Sequence, residues 1–274
     1  VFKSKKGKNS FRTPYNGGNA RVEGNGLKIP KLRKPISFRG SPLPKEYKLL
    51  SVTIELTKSG KWIASLCIET EVNELPKTGK QVGVDLGLTD LMILSDGTKI
   101  PAPKFGRKYQ IKLAKEQRKL SKMRDRAKKE GRKPGSNYRK QQKKVARLCE
   151  KIANCRKDYV NKITKWLVEN YDLIALEDVN VKGLQKNHKL AYSIADASWS
   201  SLVSRILYKA MWYGKKVIQI GRFQPTGTVC SECGALHTDI VNSLKVREWI
   251  CPDCNTWHDR DVNAAINILN YALA

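Results

Sequence analysis

The 274-residue chain can hold one large domain or two smaller ones, and its 40% hydrophobic content excludes a disordered tail. Its net charge of +28 is local: residues 1–50 carry 13 basic and 2 acidic side chains, residues 104–165 carry 24 and 5, and the other 162 residues sum to −2. No run approaches the roughly 20 apolar residues of a membrane-spanning helix, so this charge points to a polyanion, nucleic acid above all, and to a cytoplasmic or nucleoid setting with no membrane partner.

In chain order, the sequence opens at Val1 without an initiator Met and without the apolar core of a signal peptide, as a fragment would. The first 80 residues alternate apolar and polar positions between Gly, Pro and Lys clusters. LLSVTIEL, a KSGK turn and WIASLCIETEV predict a β-hairpin within an antiparallel, barrel-like domain. KQVGVDLG, TDLMILS and GTKIPAP then predict three strands, with Asp85 near the end of the first and Gly83 and Gly87 leaving that carboxylate open to a ligand.

Residues 105–170 read as a basic helical hairpin. Leu113, Leu120 and Met123 mark its first helix and the break at 131–137 its turn. Val145, Leu148, Ile152, Cys155, Tyr159, Ile163 and Trp166 form the stripe of the second. YDLIALEDV is an almost wholly apolar run ending in Glu177 and Asp178, as expected of a central buried strand. Residues 182–195 read as a mobile loop, Asp196 to Tyr213 as an amphipathic helix ended by Gly214, and KKVIQIGRF as another strand. Asp259 to Leu273 reads as a last helix with Asp259 as its N-cap.

Of seven cysteines, Cys230, Cys233, Cys251 and Cys254 form C-x2-C-x17-C-x2-C, a spacing that lets two turns place four thiolates around one structural zinc ion. Four thiolates close the coordination sphere, so no catalytic position is left on that metal. His237 and His258 flank the ligands as packed or exposed side chains, and Cys67, Cys149 and Cys155 fall in periodic apolar patterns expected to be buried. Asp85, Glu177 and Asp261 lie far apart in sequence. A β-β-β-α-β-α-β-α order would set the two strands side by side under the final helix and let the three carboxylates converge. Such a cluster calls for divalent cations, Mg²⁺ or Mn²⁺, two of which would suit phosphodiester hydrolysis.

VGVDLGLTDL, LIALEDVNVKGL, SIADASWSSLVSRILYKAMWYGKKVI, the paired CxxC and HDRDVNAAINIL, in that order, resemble the TnpB nucleases encoded by insertion sequences, relatives of the type V CRISPR effectors. The resemblance runs from about residue 45 onward. It implies an α/β architecture: a RuvC-like RNase H fold with the basic hairpin and a zinc ribbon inserted, preceded by a partial antiparallel β-barrel. The implied domains are a wedge-like, N-terminally truncated barrel over 1–79, the nuclease domain over 80–225, the ribbon over 226–257 and the final nuclease helix over 258–274. The family's Asp-Glu-Asp triad falls on Asp85, Glu177 and Asp261. The implied partners are a guide RNA and a target DNA. Lys3, Lys5, Lys6, Arg12, Arg33, Lys34 and Arg39 would face the RNA scaffold, while Arg107, Lys119, Arg124, Arg126, Lys140, Lys143 and Lys144 would line a nucleic-acid channel. Two other readings are a nucleic-acid-binding regulator or decayed copy that no longer cuts, and an unguided nuclease resembling RuvC resolvases.

Overall fold

The computed structural model describes residues 9–241 and 246–274; Lys3, Lys5 and Lys6 lie outside them. Residues 9–72 and 111–151 form one compact unit, and residues 73–110 with 152–274 form a second.

The first unit begins with β1 (Asn9–Pro14), β2 (Arg21–Glu23), β3 (Gly26–Lys28), β4 (Ile36–Ser37), β5 (Lys48–Leu56) and β6 (Trp62–Glu69). The predicted hairpin is β5–β6, and β1 pairs with the other edge of β5, all antiparallel. A separate small sheet runs β2-β3-β4. Ala20, Leu27, Ile29, Leu49, Val52 and Ile54 form the core between them. Both sheets are open, so the expected barrel is not closed among the described residues. Three strands are too few to curl onto themselves, and the outer strand β6 leaves Trp62 and Ile63 exposed.

After β7 (Gln81–Asp85), β8 (Asp90–Leu94) and β9 (Lys99–Pro101) come two long helices, α1 (Phe105–Lys129) and α2 (Ser136–Asn170). The first ends in a Schellman-type turn: Gly131 takes a positive φ of 62° and the Arg132 amide donates to Ala127 O. Within the first unit the helices are seamed by Gln141, whose amide donates to the Glu116 carbonyl at 3.0 Å and to its carboxylate at 2.7 Å. Leu148 and Ile152 are buried as the stripe predicts. Further along, the buried face is Val160, Thr164, Leu167 and Val168, and Trp166 is 37% exposed. Cys67 and Cys149 are exposed and Cys155 is half-buried, contrary to the expected core positions.

The second unit centres on a five-stranded sheet, which β10 (Leu173–Glu177) and a later strand complete. Residues 182–195, expected to be a loop, form α3 (Val181–Leu184) and α4 (His188–Ala197). Two asparagines supply the caps: the Asn180 side chain accepts from Gly183 N, and that of Asn187 from Lys189 N. The following helix, α5 (Trp199–Trp212), starts three residues later than expected, because Ser198 adopts a left-handed φ of 58° that ends α4 and opens α5. Asp196 is therefore not in that helix. It is buried in α4, where it accepts the Gly106 amide at 2.8 Å and pairs with Arg156 at 2.7 Å.

Then follow β11 (Lys216–Ile220), β12 (Glu248–Ile250), β13 (Trp257–Asp259) and α6 (Arg260–Leu273). The sheet order is β11-β10-β7-β8-β9: β10 runs parallel to both β7 and β11, while β7-β8-β9 is an antiparallel meander. Val82, Val84, Leu91, Met92, Leu94, Ile174 and Leu176 pack on one side against Leu167, Leu202 and Ile206. The helix α6 packs along β7. A Cβ on Gly83 would lie 1.9 Å from Ala265 O and 2.9 Å from Leu269 N. Gly83 thus makes room for a helix backbone, and the expectation that it opens space for a ligand is corrected. Asp172 and Lys215 close the unit: the fully buried Lys215 ammonium donates to Asp172 Oδ1 at 2.5 Å and to Pro76 O at 2.7 Å, and the amides of Thr78 and Gly79 donate to Asp172 Oδ2.

Two predictions follow from this packing. Gly83→Ala collides with backbone that no rotamer can relieve, so it should cost upward of about 3 kcal/mol. Calorimetry should show the melting midpoint falling by roughly 6 °C or more, while Gly221→Ala, with open space around it, should melt like the parent. The Lys215 hydrogen bond, aided by the amides of Gly79 and Thr78 against the opposing effect of burial, holds the Asp172 carboxyl at about 2. A carboxyl depressed in the fold stabilises it above the unfolded value near 4 and loses that contribution as pH falls toward 2. Asp172→Asn should therefore melt lower than the parent at pH 7, with the gap closing by pH 2.

Candidate functional site

Asp85 is the last residue of β7 and Glu177 the last of β10. The two strands are parallel neighbours in register through Val84 and Leu176, so both carboxylates leave the sheet at the same level. Asp261 is the second residue of α6, the helix that Gly83 admits against β7. The sequence-predicted trio is thereby brought together by a strand pair and a helix start. Burial first, then the charges of Asp261 and Glu177, push the Asp85 carboxyl up to about 7. Burial also raises the Glu177 carboxyl, with Asp178 adding to it. A cation beside Asp85 would offset both its burial and the neighbouring negative charges. Carboxylate oxygens are the donor set that hard divalent ions prefer, so these residues fit such an ion.

Asp259 has a different task. Its Oδ1 accepts from the amides of Asp261 and Val262 at 3.1 Å, which makes it the N-cap of α6. Its Oδ2 accepts from Lys99 Nζ at 2.6 Å. Burial alone would raise this carboxyl, but the Lys99 bond and the two amides outweigh it and hold it down. Lys99 belongs to a set of cations that the sequence pattern does not reveal. Arg247 Nη1 lies 3.1 Å from Asp261 Oδ2, and Arg222 Nη2 lies 2.5 Å from Asp178 Oδ2. Lys99 and Arg222 lie 160 and 44 residues from their acids and Arg247 lies 14 from its own, so the fold brings the three pairs together.

The second cluster is the cysteine module. The sulfurs of Cys230, Cys233, Cys251 and Cys254 all lie within 4.8 Å of one another. Cys230 to Cys254 is 3.6 Å and Cys233 to Cys251 is 3.7 Å. A tetrahedron of 2.3 Å metal–sulfur bonds has edges of about 3.8 Å, so the four sulfurs fit a single soft metal ion. His237 and His258 are buried and flank Trp249, ring against ring. Their Nε2 atoms lie 3.3 Å from Cys251 Sγ and 3.1 Å from Cys230 Sγ, as hydrogen-bonding neighbours of the sulfurs.

Asn263 and Asn267 join the two clusters. Both are buried on α6, one turn apart. Asn263 Nδ2 donates to Val229 O at 2.8 Å, and its Oδ1 accepts from Ser231 N at 2.9 Å. Asn267 Nδ2 donates to Thr226 O and Val229 O. The first cysteine turn is thus fastened to the helix that carries Asp261. Sequence reasoning passed over these asparagines; two amides at i and i+4 on the apolar face of DVNAAINI were the available signal.

With that geometry in place, comparisons with known proteins identify relatives. A family profile described as "Probable transposase" (OrfB_IS605) matches residues 65–188, and one for the Cas12f1-like TNB domain matches residues 199–268. The chain is 39% identical over 249 residues to the "Putative RNA-guided DNA endonuclease" of Streptomyces pristinaespiralis, covering 90% of this chain and 59% of that protein. It is 31% identical over 287 residues to the "Putative RNA-guided DNA endonuclease InsQ" of Escherichia coli, covering 98% and 67%. Among solved structures, a cryo-EM Cas12f1–sgRNA–target DNA complex aligns with a TM-score of 0.57 at 16% identity, over 96% of this chain and 60% of that one, a likeness of mixed α/β fold. The chain spans about three-fifths of the length of the Streptomyces relative.

Proposed function

Because this chain belongs to the TnpB family of insertion-sequence proteins, we propose that it is an RNA-guided, metal-dependent DNA endonuclease associated with a transposable element. The observation that carries this reading is the placement of Asp85 and Glu177 at the ends of neighbouring strands beside the start of the helix that bears Asp261, with the Asp85 carboxyl raised first by burial and then by the charges of Asp261 and Glu177. In this reading residues 80–225 and 258–274 form a RuvC-like nuclease domain of RNase H fold with the basic hairpin at 105–170, and residues 226–257 form a zinc ribbon inserted before the final helix. The parallel β7–β10–β11 strands flanked by the β8–β9 meander support the RNase H assignment. Residues 1–79 would be a wedge-like nucleic-acid-binding domain.

Asp85, Glu177 and Asp261 would hold Mg²⁺ or Mn²⁺, which when bound supplies Lewis-acid activation of water and neutralises charge developing on a phosphodiester. The chain's own residues do the rest. Gly83 and the Asp259 cap set the height and pitch of α6, and so the position of Asp261. Lys99, Arg222 and Arg247, each anchored by an acid, surround the cluster with positive charge that suits a polyanionic substrate. Cys230, Cys233, Cys251 and Cys254 would hold one zinc ion as a structural clasp without a chemical step. A guide RNA and its DNA target would engage the basic segments, with sequence specificity delegated to base pairing. A bacterial cytoplasm or nucleoid fits such partners, and no helix among the described residues is long and apolar enough to cross a membrane.

The reading that competes is a nucleic-acid-binding regulator that does not cut, which gains from the Arg247–Asp261 ion pair, since a carboxylate already paired has less need of a metal. Cleavage assays on the full chain with its co-purified RNA decide between them. Asp85→Ala should bring Mg²⁺-dependent cleavage of a guide-matched DNA down to background while leaving the bound RNA in place; unchanged cutting by the variant would remove Asp85 from the active site. For the ribbon, metal analysis should find one zinc per chain. Cys251→Ser should lose most of it and lower the melting midpoint, whereas Cys67→Ser should alter neither.

A further inference from the structure

Phe223 is 94% exposed, more than any other large apolar side chain among the described residues. Single exposed hydrophobes are ordinary, but the backbone that presents this one is itself fixed. It sits inside a turn in which Gln224 N donates to Gly221 O at 3.3 Å, and the preceding Arg222 is pinned by bonds to Asp178 O at 3.2 Å and Asp178 Oδ2 at 2.5 Å. The ring's place is equally defined: β11 ends at Ile220, which pairs in register with Glu177, so Phe223 stands three residues beyond the rim of the carboxylate cluster.

We infer that Phe223 is a stacking platform for a base of the DNA strand whose backbone enters the carboxylate cluster. This rests on the nuclease reading and adds to it a residue that touches substrate. The chemistry of the surroundings selects a nucleobase over a protein partner. Gly221, Arg222, Gln224 and Pro225 are all exposed and supply no contiguous apolar patch of the kind a protein interface needs. A base requires only one ring face, with a cation nearby for the adjoining phosphate. Arg222 provides the cation, 42% exposed while one edge of its guanidinium is held by Asp178. Stacking on a phenyl ring is sequence-tolerant, as befits a site whose specificity lies in pairing elsewhere.

The test uses the full chain with its co-purified RNA and single-stranded DNA oligonucleotides carrying 2-aminopurine at successive positions, in Ca²⁺ buffer without turnover. The parent should show a fluorescence change confined to one or two adjacent positions. Phe223→Ala should lose that change and bind about five- to a hundredfold more weakly, with an unaltered salt dependence because no phosphate contact is removed. Phe223→Trp should restore both signals and Phe223→Leu neither. Because the ring is exposed, all three variants should melt like the parent. Binding by Phe223→Ala within twofold of the parent, or a parent signal that is absent or spread over every position, overturns the inference. A parent that shows the localised signal but never cuts under Mg²⁺ would defeat the nuclease reading while leaving the stacking site standing.

Discussion

The structure of the second unit depends on one steric condition, the approach of α6 to β7 at a distance that no Cβ could survive. Ala265 O occupies the space a side chain at position 83 would need. Everything at the carboxylate cluster is referred to that contact. The strand fixes Asp85, its parallel neighbour fixes Glu177, and the helix, seated at that depth, delivers Asp261 from its first turn. Burial first, and then the charges of Asp261 and Glu177, displace the Asp85 carboxyl upward to about 7. Packing holds three acids where their charges alone would drive them apart, so the cost of the cluster is met by the apolar contacts beneath it.

Much of this was legible in the sequence because the signals are local. Alternation found the β5–β6 hairpin, the apolar run around Ile174 found the central strand, and Asp259 ahead of an amphipathic stretch found a capped helix. The two CxxC turns found a four-sulfur cluster. Failures came where a local rule met a tertiary one. Residues 182–195 looked like a loop because Gly183 and Asn187 usually mark turns, yet Asn187, like Asn180 before it, acts as a helix cap, a role that the same side-chain chemistry serves equally well. Gly83 was legible as a glycine that mattered but not for what, since its neighbour is a helix some 180 residues away. The stripe of α2 drifted because a helix of 35 residues shares its faces among different neighbours along its length. Lys99, Arg222 and Arg247 were invisible, as ion pairs spanning 14 to 160 residues leave no periodic trace.

The charge distribution divides along the same lines. Much of the positive charge of 104–165 lies on α1 and α2, where the first unit's acids are already engaged: Glu116 with Gln141 and Lys119, and Glu150 with Lys61. Those exposed pairs add little stability. With 24 basic and 5 acidic side chains over 104–165, the basic ones outnumber any acids that could neutralise them, which maintains a strong outward field.

The fastening of the cysteine module to α6 carries a consequence of its own. Asn263 and Asn267 tie Val229 and Ser231, which flank Cys230, to the helix that bears Asp261. An ion that binds the four sulfurs only when the module is folded stabilises, by mass action, whatever is tied to the folded module. The fraction of molecules with a fully assembled carboxylate cluster then rises with the free concentration of a metal that takes no part in the cluster. Metal availability would thereby set how many molecules have that cluster assembled, independently of how much protein is made.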